Sequence, residues 1–411
     1  MNLKVIKETK FKNIVISVRF RSPLHKDSVA PRMVISDYLT NVCKQYPTKA
    51  SIVDKLNAMY GASISSNYMT YGDSQVVELR ARIIDPSYID YKENLIMEAI
   101  AVMKAFLYEP LVDENGKLYK NYVDESIRMT LSKTTRMYDE TSQYASSKAL
   151  HEAGAGYALA NQVLFFEDEV KNITPDSLLA AMQSMIQDDV MEVLVIGNVD
   201  DSTIELIKNA FISDAKIIPA VSYKVDAKRK DNYIEEYRDM SQAYISMVYQ
   251  TNINNLDASY WKLAVANAIF GQTPSSLLFR EVREKHSLAY SIHSGLHPYD
   301  GVLSVNVGVN EENVDKTIAL IKEQLERVKQ GDFDHSIIQV VKDMLANSFM
   351  TQMDDLHGIL NFGYRNMILA TDVSVEQIIK QIYEVTLEDI KEVMSQIELL
   401  TTFVLRKGDE N

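Results

Sequence analysis

One cysteine, Cys43, occurs in 411 residues, which excludes an internal disulfide and any multi-cysteine zinc site. There is no Lys/Arg-rich run, and the net charge is −14. Neither a nucleic-acid partner nor an anionic membrane partner is expected from that balance. No apolar run reaches membrane-spanning length. The opening residues, MNLKVIKETKFKN, lack the apolar stretch of a secretory signal, so a cytoplasmic location is expected. Glycine numbers only 14, and neither G-x-G-x-x-G nor G-x-x-x-x-G-K-[ST] occurs. Phosphate-cradling loops are therefore unsupported. G-x-S-x-G is missing too, so no nucleophile elbow is expected.

What is present is ordinary globular material, 46% hydrophobic and 24% charged, in a chain longer than one core usually serves. Residues 13–20, NIVISVRF, read as a strand, followed by helices around 31–46 and 49–59. Val77, Leu79, Ala81 and Ile83 alternate with Glu78, Arg80 and Arg82, the pattern of a half-buried strand. Pro86 is expected to open a helix to about 107, a long polar helix to cover 117–151, and VMEVLVIGNVD (190–200) to be a buried strand.

A similar order recurs after residue 240, with strands at 242–250 and 303–309 and a last one in TTFVLRKG. DKLNAMYGASISS (54–66) lies over VREKHSLAYSIHS (282–294), and ITPDSLLAAM (173–182) over VTLEDIKEVM (385–394). The chain reads as a diverged duplication. The expected fold class is α+β, with two tandem homologous domains, 1–213 and 237–411. Each is an antiparallel-rich sheet packed against helices, and a polar, charge-mixed linker, 214–236, joins them.

Candidate catalytic groups are few. His286, His293 and His297 cluster, but Gly295 and Pro298 break any helix that would align HSGLH, and exposed strand and loop histidines are the expected reading. Asp124-Glu125, Asp139-Glu140 and Glu311-Glu312 are adjacent pairs, which on a helix do not face each other.

The most specific stretch is SSLLFREVREKHSLAYSIHSG (275–295), where an apolar helix face runs into Arg283-Glu284-Lys285 and then into Leu288-Ala289-Tyr290. The pattern from Ser276 through Leu278, Phe279, Glu281, Arg283 and Leu288 to Tyr290-Ser291 resembles the second signature of the pitrilysin/insulinase metallopeptidases, the inverzincins. The resemblance covers essentially the whole duplicated chain. It implies that Arg283 and Tyr290 reach a substrate backbone and its scissile carbonyl, where both are donors suited to developing oxyanion charge.

The family's first signature, H-x-x-E-H on a helix of the first half, would supply zinc ligands and a general base. The matching positions here are Ile35, Ser36, Asp37, Tyr38 and Leu39. None of the required residues is present, so Ile35, Tyr38 and Leu39 mark a degenerate zinc motif. Ile35, Leu39, Val42 and Tyr46 instead recur at helical spacing, as a core stripe does. Of the first half's histidines, His25 and His151 stand far apart, and Glu125 or Asp124, near the family's third ligand position, has no metal to complete.

One signature is kept and the other is gone, as in the non-catalytic chain of the family's heterodimers. The chain lacks the glycine-rich loop of the mitochondrial non-catalytic subunit and is similar to bacterial inactive partners. The resemblance implies a chain that is no enzyme on its own and holds no cofactor. A paralogous H-x-x-E-H subunit would carry the zinc, and the pair would enclose a peptide. The alternative is a peptide-binding scaffold of the same fold without a role in proteolysis.

Overall fold

The computed structural model describes residues 2–90, 94–211, 216, 220–225 and 231–408. Two five-stranded sheets organise the chain. The first has the order β1-β5-β2-β4-β3. Its strands are β1 (Asn2–Lys7), β2 (Asn13–Pro23), β3 (Ser63–Tyr71), β4 (Ser74–Ile84) and β5 (Val190–Gly197). The second repeats the order as β6-β10-β7-β9-β8. Its strands are β6 (Asn232–Arg238), β7 (Ala243–Gln250), β8 (Ala289–His297), β9 (Val302–Val309) and β10 (Glu398–Lys407). In each sheet the strand opening the half, β1 or β6, pairs parallel with the strand that closes it. The other pairings are antiparallel. The expected α+β class and internal duplication are thus realised strand for strand.

In the first sheet, one face follows from alternation. Ile14, Ile16, Val18 and Phe20 of β2 and Leu79, Ala81 and Ile83 of β4 are buried, and the apolar helix Leu95–Tyr108 packs against β4. The second face departs from the half-buried expectation. Ser17, Arg19, Arg21, Glu78 and Glu192 are also buried, because the helix Leu356–Ile368 covers that face across β1 and β5. A Cβ on its Gly363 would meet Ile6 Cδ1 at 2.6 Å, so glycine lets the helix approach β1 without displacing that side-chain tip. Its Tyr364 hydroxyl donates to Glu192 Oε2 at 2.9 Å, and Arg21 Nη2 donates to Glu192 Oε1 at 2.7 Å. Arg19 donates to Glu78 at 2.9 Å with its guanidinium 3.8 Å from the Tyr364 ring centre. The buried charges are paired and hydrogen-bonded, as burial requires.

The second sheet is covered in the same way by the helix Thr141–Ala153, which packs on β7, β9 and β10. Two compact units result: 1–134 with 165–220 and 354–371, and 135–164 with 221–353 and 372–411. Each unit therefore includes a helix from the other sequence half, where the sequence reading places one seam at 214–236. Within that segment, β6 begins at Asn232. Val221 and Val225 are buried, and Tyr223 and Val225 donate backbone N–H groups to Tyr299 and Asp300. Residues 214–215, 217–219 and 226–230 lie outside the described residues.

Other boundaries differ locally. The expected 117–151 helix breaks at Glu140, whose extended backbone separates Lys120–Asp139 from Thr141–Ala153. Pro86 opens only a short 3-10 turn, Pro86–Tyr88, with Asp85 as its cap. Among the described residues, no helix is long and apolar enough to cross a membrane.

Candidate functional site: an exposed Arg/Tyr pair and a filled zinc-motif pocket

The Arg283/Tyr290 junction is built by an irregular helix end. Leu278 and Val282 are fully buried and Leu277 nearly so, which pins one face of the segment. Phe279–Lys285 winds as a π-helix, a form concentrated at functional sites. The His286 N–H accordingly reaches Glu281 O at 3.1 Å, and the Leu288 N–H reaches Val282 O at 3.0 Å. Ser287 turns the chain with φ of +52°, the left-handed region that non-glycine residues seldom occupy. β8 then starts with a register shift between Ala289 and Ile292. This irregularity takes Tyr290 out of regular pairing with β9 and aims it outward.

Tyr290 is 87% exposed, the highest value among the large hydrophobic side chains. The Arg283 guanidinium carbon lies 4.6 Å from the Phe279 ring centre and 5.3 Å from that of Tyr290, within cation–π range. The Glu281 carboxylate is already engaged, pairing with Lys285 at 2.9 Å and Arg327 at 3.4 Å. Lys285 above all holds the Glu281 carboxyl below its ordinary range. Two donors thus stand close together at one turn. Phe279, part of the signature pattern but given no site role by the sequence, is the second ring on the guanidinium. Its position one helical turn before Arg283 was the available signal.

The zinc-motif positions lie on the helix Lys26–Tyr38 and its cap Leu39. The helix ends well before the expected 46, and the stripe holds only in part: Ile35, Leu39 and Val42 are buried, whereas Tyr46 is half-buried beyond the helix. Asp37 accepts from Thr130 Oγ1 at 2.7 Å and pairs with Lys133, both on Lys120–Asp139. Asn41 donates to Ser126 Oγ at 3.0 Å on the same helix. The Tyr38 hydroxyl is buried without a hydrogen-bond partner, and burial pushes its phenol well above the usual range.

Two aliphatic side chains and a phenol do not fit a zinc ion. The ammonium of Lys133 places a positive charge beside the carboxylate of this helix pair. Glu125 pairs with Lys49 and Asp124 with Lys120, each at 2.7 Å. Among the described residues, no group of three or more His, Cys, Asp or Glu side chains could hold a metal. Of the HSGLH histidines, His297 Nε2 meets Ser304 Oγ at 3.0 Å, so it belongs to the sheet rather than to a ligand set.

A duplicated α+β chain whose zinc-motif positions carry no metal ligand, with an Arg/Tyr pair at one turn, resembles metallopeptidase-like proteins of a non-catalytic type. Residues 172–345 match the family described as the peptidase M16 inactive domain. The "Probable inactive metalloprotease YmfF" of Bacillus subtilis is 28% identical over 408 residues, covering 99% of this chain and 95% of that protein. The "Uncharacterized zinc protease YmxG" of the same organism is 23% identical over 359 residues, 85% of this chain and 80% of that protein. Among solved structures, a conserved protein from Enterococcus faecalis V583 superposes with a TM-score of 0.94 at 25% identity, covering 100% of this chain and 97% of that one. The resemblance read from the sequence holds: the chain is similar to M16 peptidase-like proteins that are described as inactive.

Proposed function

We propose that this chain is the non-catalytic member of a two-chain zinc peptidase, bringing Arg283 and Tyr290 to peptide bound at a centre carried by an H-x-x-E-H partner. The observation that carries the reading is the exposure of Tyr290, 87%, beside a guanidinium with no ion-pair partner among the described residues. A large aromatic held outward at a strand irregularity gains little from burial, so its placement is better explained by something it meets. Both groups are donors, and peptide hydrolysis develops negative charge on the carbonyl oxygen that fixed donors stabilise. The occurrence of a relative called inactive and a relative called a zinc protease in one organism is what such pairing needs. On this reading the protein works on peptides in the cytoplasm.

A second reading, a peptide-holding scaffold without a part in cleavage, is favoured by one feature. The Phe279 and Tyr290 rings together clasp Arg283, which gives that side chain a structural role. The experiment is reconstitution with a relative from this chain's own organism that carries H-x-x-E-H. Co-elution, with chelator-sensitive peptidase activity only in the mixture, supports the pairing. Stoichiometric zinc and peptidase activity in this chain alone would overturn it.

A further inference from the structure

Strand β4 directs Arg80 and Arg82 to one face of the first sheet, opposite the apolar face of Leu79, Ala81 and Ile83. In register, Ser65 of β3 stands across from Arg80 and Ser63 across from Arg82. Directly paired residues share a face, so two guanidiniums and two hydroxyls form a block two strands wide. Lys12 borders the block on one side, and His357, in the first turn of Leu356–Ile368, on another. The concavity they line measures about 430 Å³, within the usual size of a small-molecule site.

The cations here outnumber the carboxylates that face them. Arg80 Nη1 lies 3.1 Å from His357 Nδ1. A guanidinium only donates, so the imidazole proton sits on Nε2, a further donor. Lys12 lies 5.6 Å from the Tyr88 ring centre, and Arg82 is exposed with no ion-pair partner among the described residues. Two carboxylates stand nearby, Glu78, whose charge Arg19 and Arg80 share, and Asp355 at the rim. Glu78 accepts from Arg19 and Ser17, and Asp355 Oδ2 accepts the N–H groups of His357 and Gly358. This local excess of positive charge stands out in a chain of net charge −14.

The second unit supplies an internal comparison. The same corner recurs there, between the first turns of Thr141–Ala153 and strands β7 to β9, with a volume of about 320 Å³. Its lining includes Ser142, Ser291, His293 and Asn306 but neither Lys nor Arg. The duplicated architecture therefore makes the concavity, and only the first unit furnishes it with cations.

We propose that the Arg80/Arg82 concavity is a binding site for an oligophosphate, a ligand with two or more linked phosphoryl groups, whether inorganic or carried by a small metabolite. Side chains two apart on a strand are separated by about 7 Å, more than one phosphate or carboxylate spans. Each guanidinium can take a phosphoryl group through paired N–H donors, and the serine hydroxyls and the His357 Nε2–H can meet the remaining oxygens. The inference does not depend on the peptidase-partner reading, because its residues lie in the first unit and its readout is binding alone.

The test is calorimetric titration of the full chain with sodium tripolyphosphate at constant ionic strength, against sulfate and citrate. A single saturable site is expected, preferring tripolyphosphate to either control by roughly tenfold or more. Arg80→Gln and Arg82→Gln should each weaken it by a similar factor, and His293→Ala, in the second concavity, should not. An arm with adenosine triphosphate separates the sources: tighter binding than tripolyphosphate indicates a nucleotide, and equal binding an inorganic chain. Absence of saturable binding, or equal binding of sulfate or citrate, overturns the proposal. If Arg80→Gln does not fold, Arg82→Gln and Lys12→Gln, both at exposed positions, decide the matter, and unchanged affinity in both also overturns it.

Discussion

The guanidinium of Arg283 and the ring of Tyr290, seven residues apart in the chain, stand 5.3 Å from each other across a helix-to-strand junction. That proximity needs the π-helical end of Phe279–Lys285, the left-handed Ser287 and the register shift at the start of β8. If the pair serves a shared active site, Tyr290→Phe in the reconstituted two-chain peptidase lowers kcat on the order of a hundredfold, the loss of one transition-state donor. Folding and pairing stay intact, because the ring remains. Arg283→Ala also impairs cleavage, and the double variant falls short of the product of the single effects. Steady-state kinetics with melting temperature as control make the measurement. Wild-type turnover in both variants would favour the scaffold reading.

The buried Arg21–Glu192 pair under Tyr364 gives a stability prediction. Arg21→Met leaves the Glu192 carboxylate in a closed interior with the Tyr364 hydroxyl still attached. Breaking such a pair costs about 3–5 kcal/mol. Adding Glu192→Leu should recover much of the loss, since an apolar pair carries no uncompensated charge. Urea denaturation of the two variants checks both statements.

Tyr38, at the position of the lost general base, carries a buried hydroxyl without a partner. Tyr38→Phe removes an unsatisfied polar group and keeps the ring. The expected change is neutral or stabilising by up to ~1 kcal/mol. A loss of stability greater than that would mean the hydroxyl has a polar partner after all.

His297 predicts a pH dependence. Desolvation of its ring, with His293 as a second cause, pushes it from 6.5 down to about 4. The folded protein therefore keeps the ring neutral where the unfolded chain would take up a proton. The unfolded state binds more protons between those values, so stability is present in full above about pH 6.5 and falls as pH drops toward about 4. Melting temperature should decline across that window, and His297→Gln should flatten the decline. An unchanged slope in the variant would assign the acid sensitivity to other groups.

Much of this molecule is legible in one dimension. Period-2 alternation in Leu79–Ile83 and in Leu303–Val309 marks strand faces because successive side chains point to opposite sides of a sheet. The repeat of ITPDSLLAAM as VTLEDIKEVM exposes the duplication, and the five residues from Ile35 to Leu39 declare that zinc ligands are missing. Arg283 and Tyr290 are readable as a pair because the spacing of their apolar flanks is local. What alternation cannot say is whether a strand's polar face meets water. Arg19, Arg21, Glu78 and Glu192 have the sequence pattern of a solvated face, yet they are buried. Their cover is a helix whose Tyr364 lies 172 residues from its partner Glu192. The same helix, by beginning where it does, leaves Arg80 and Arg82 around an open concavity rather than under a lid. Covering a face takes a partner brought from far along the chain, and the strand's own residues do not encode which partner arrives or where it stops.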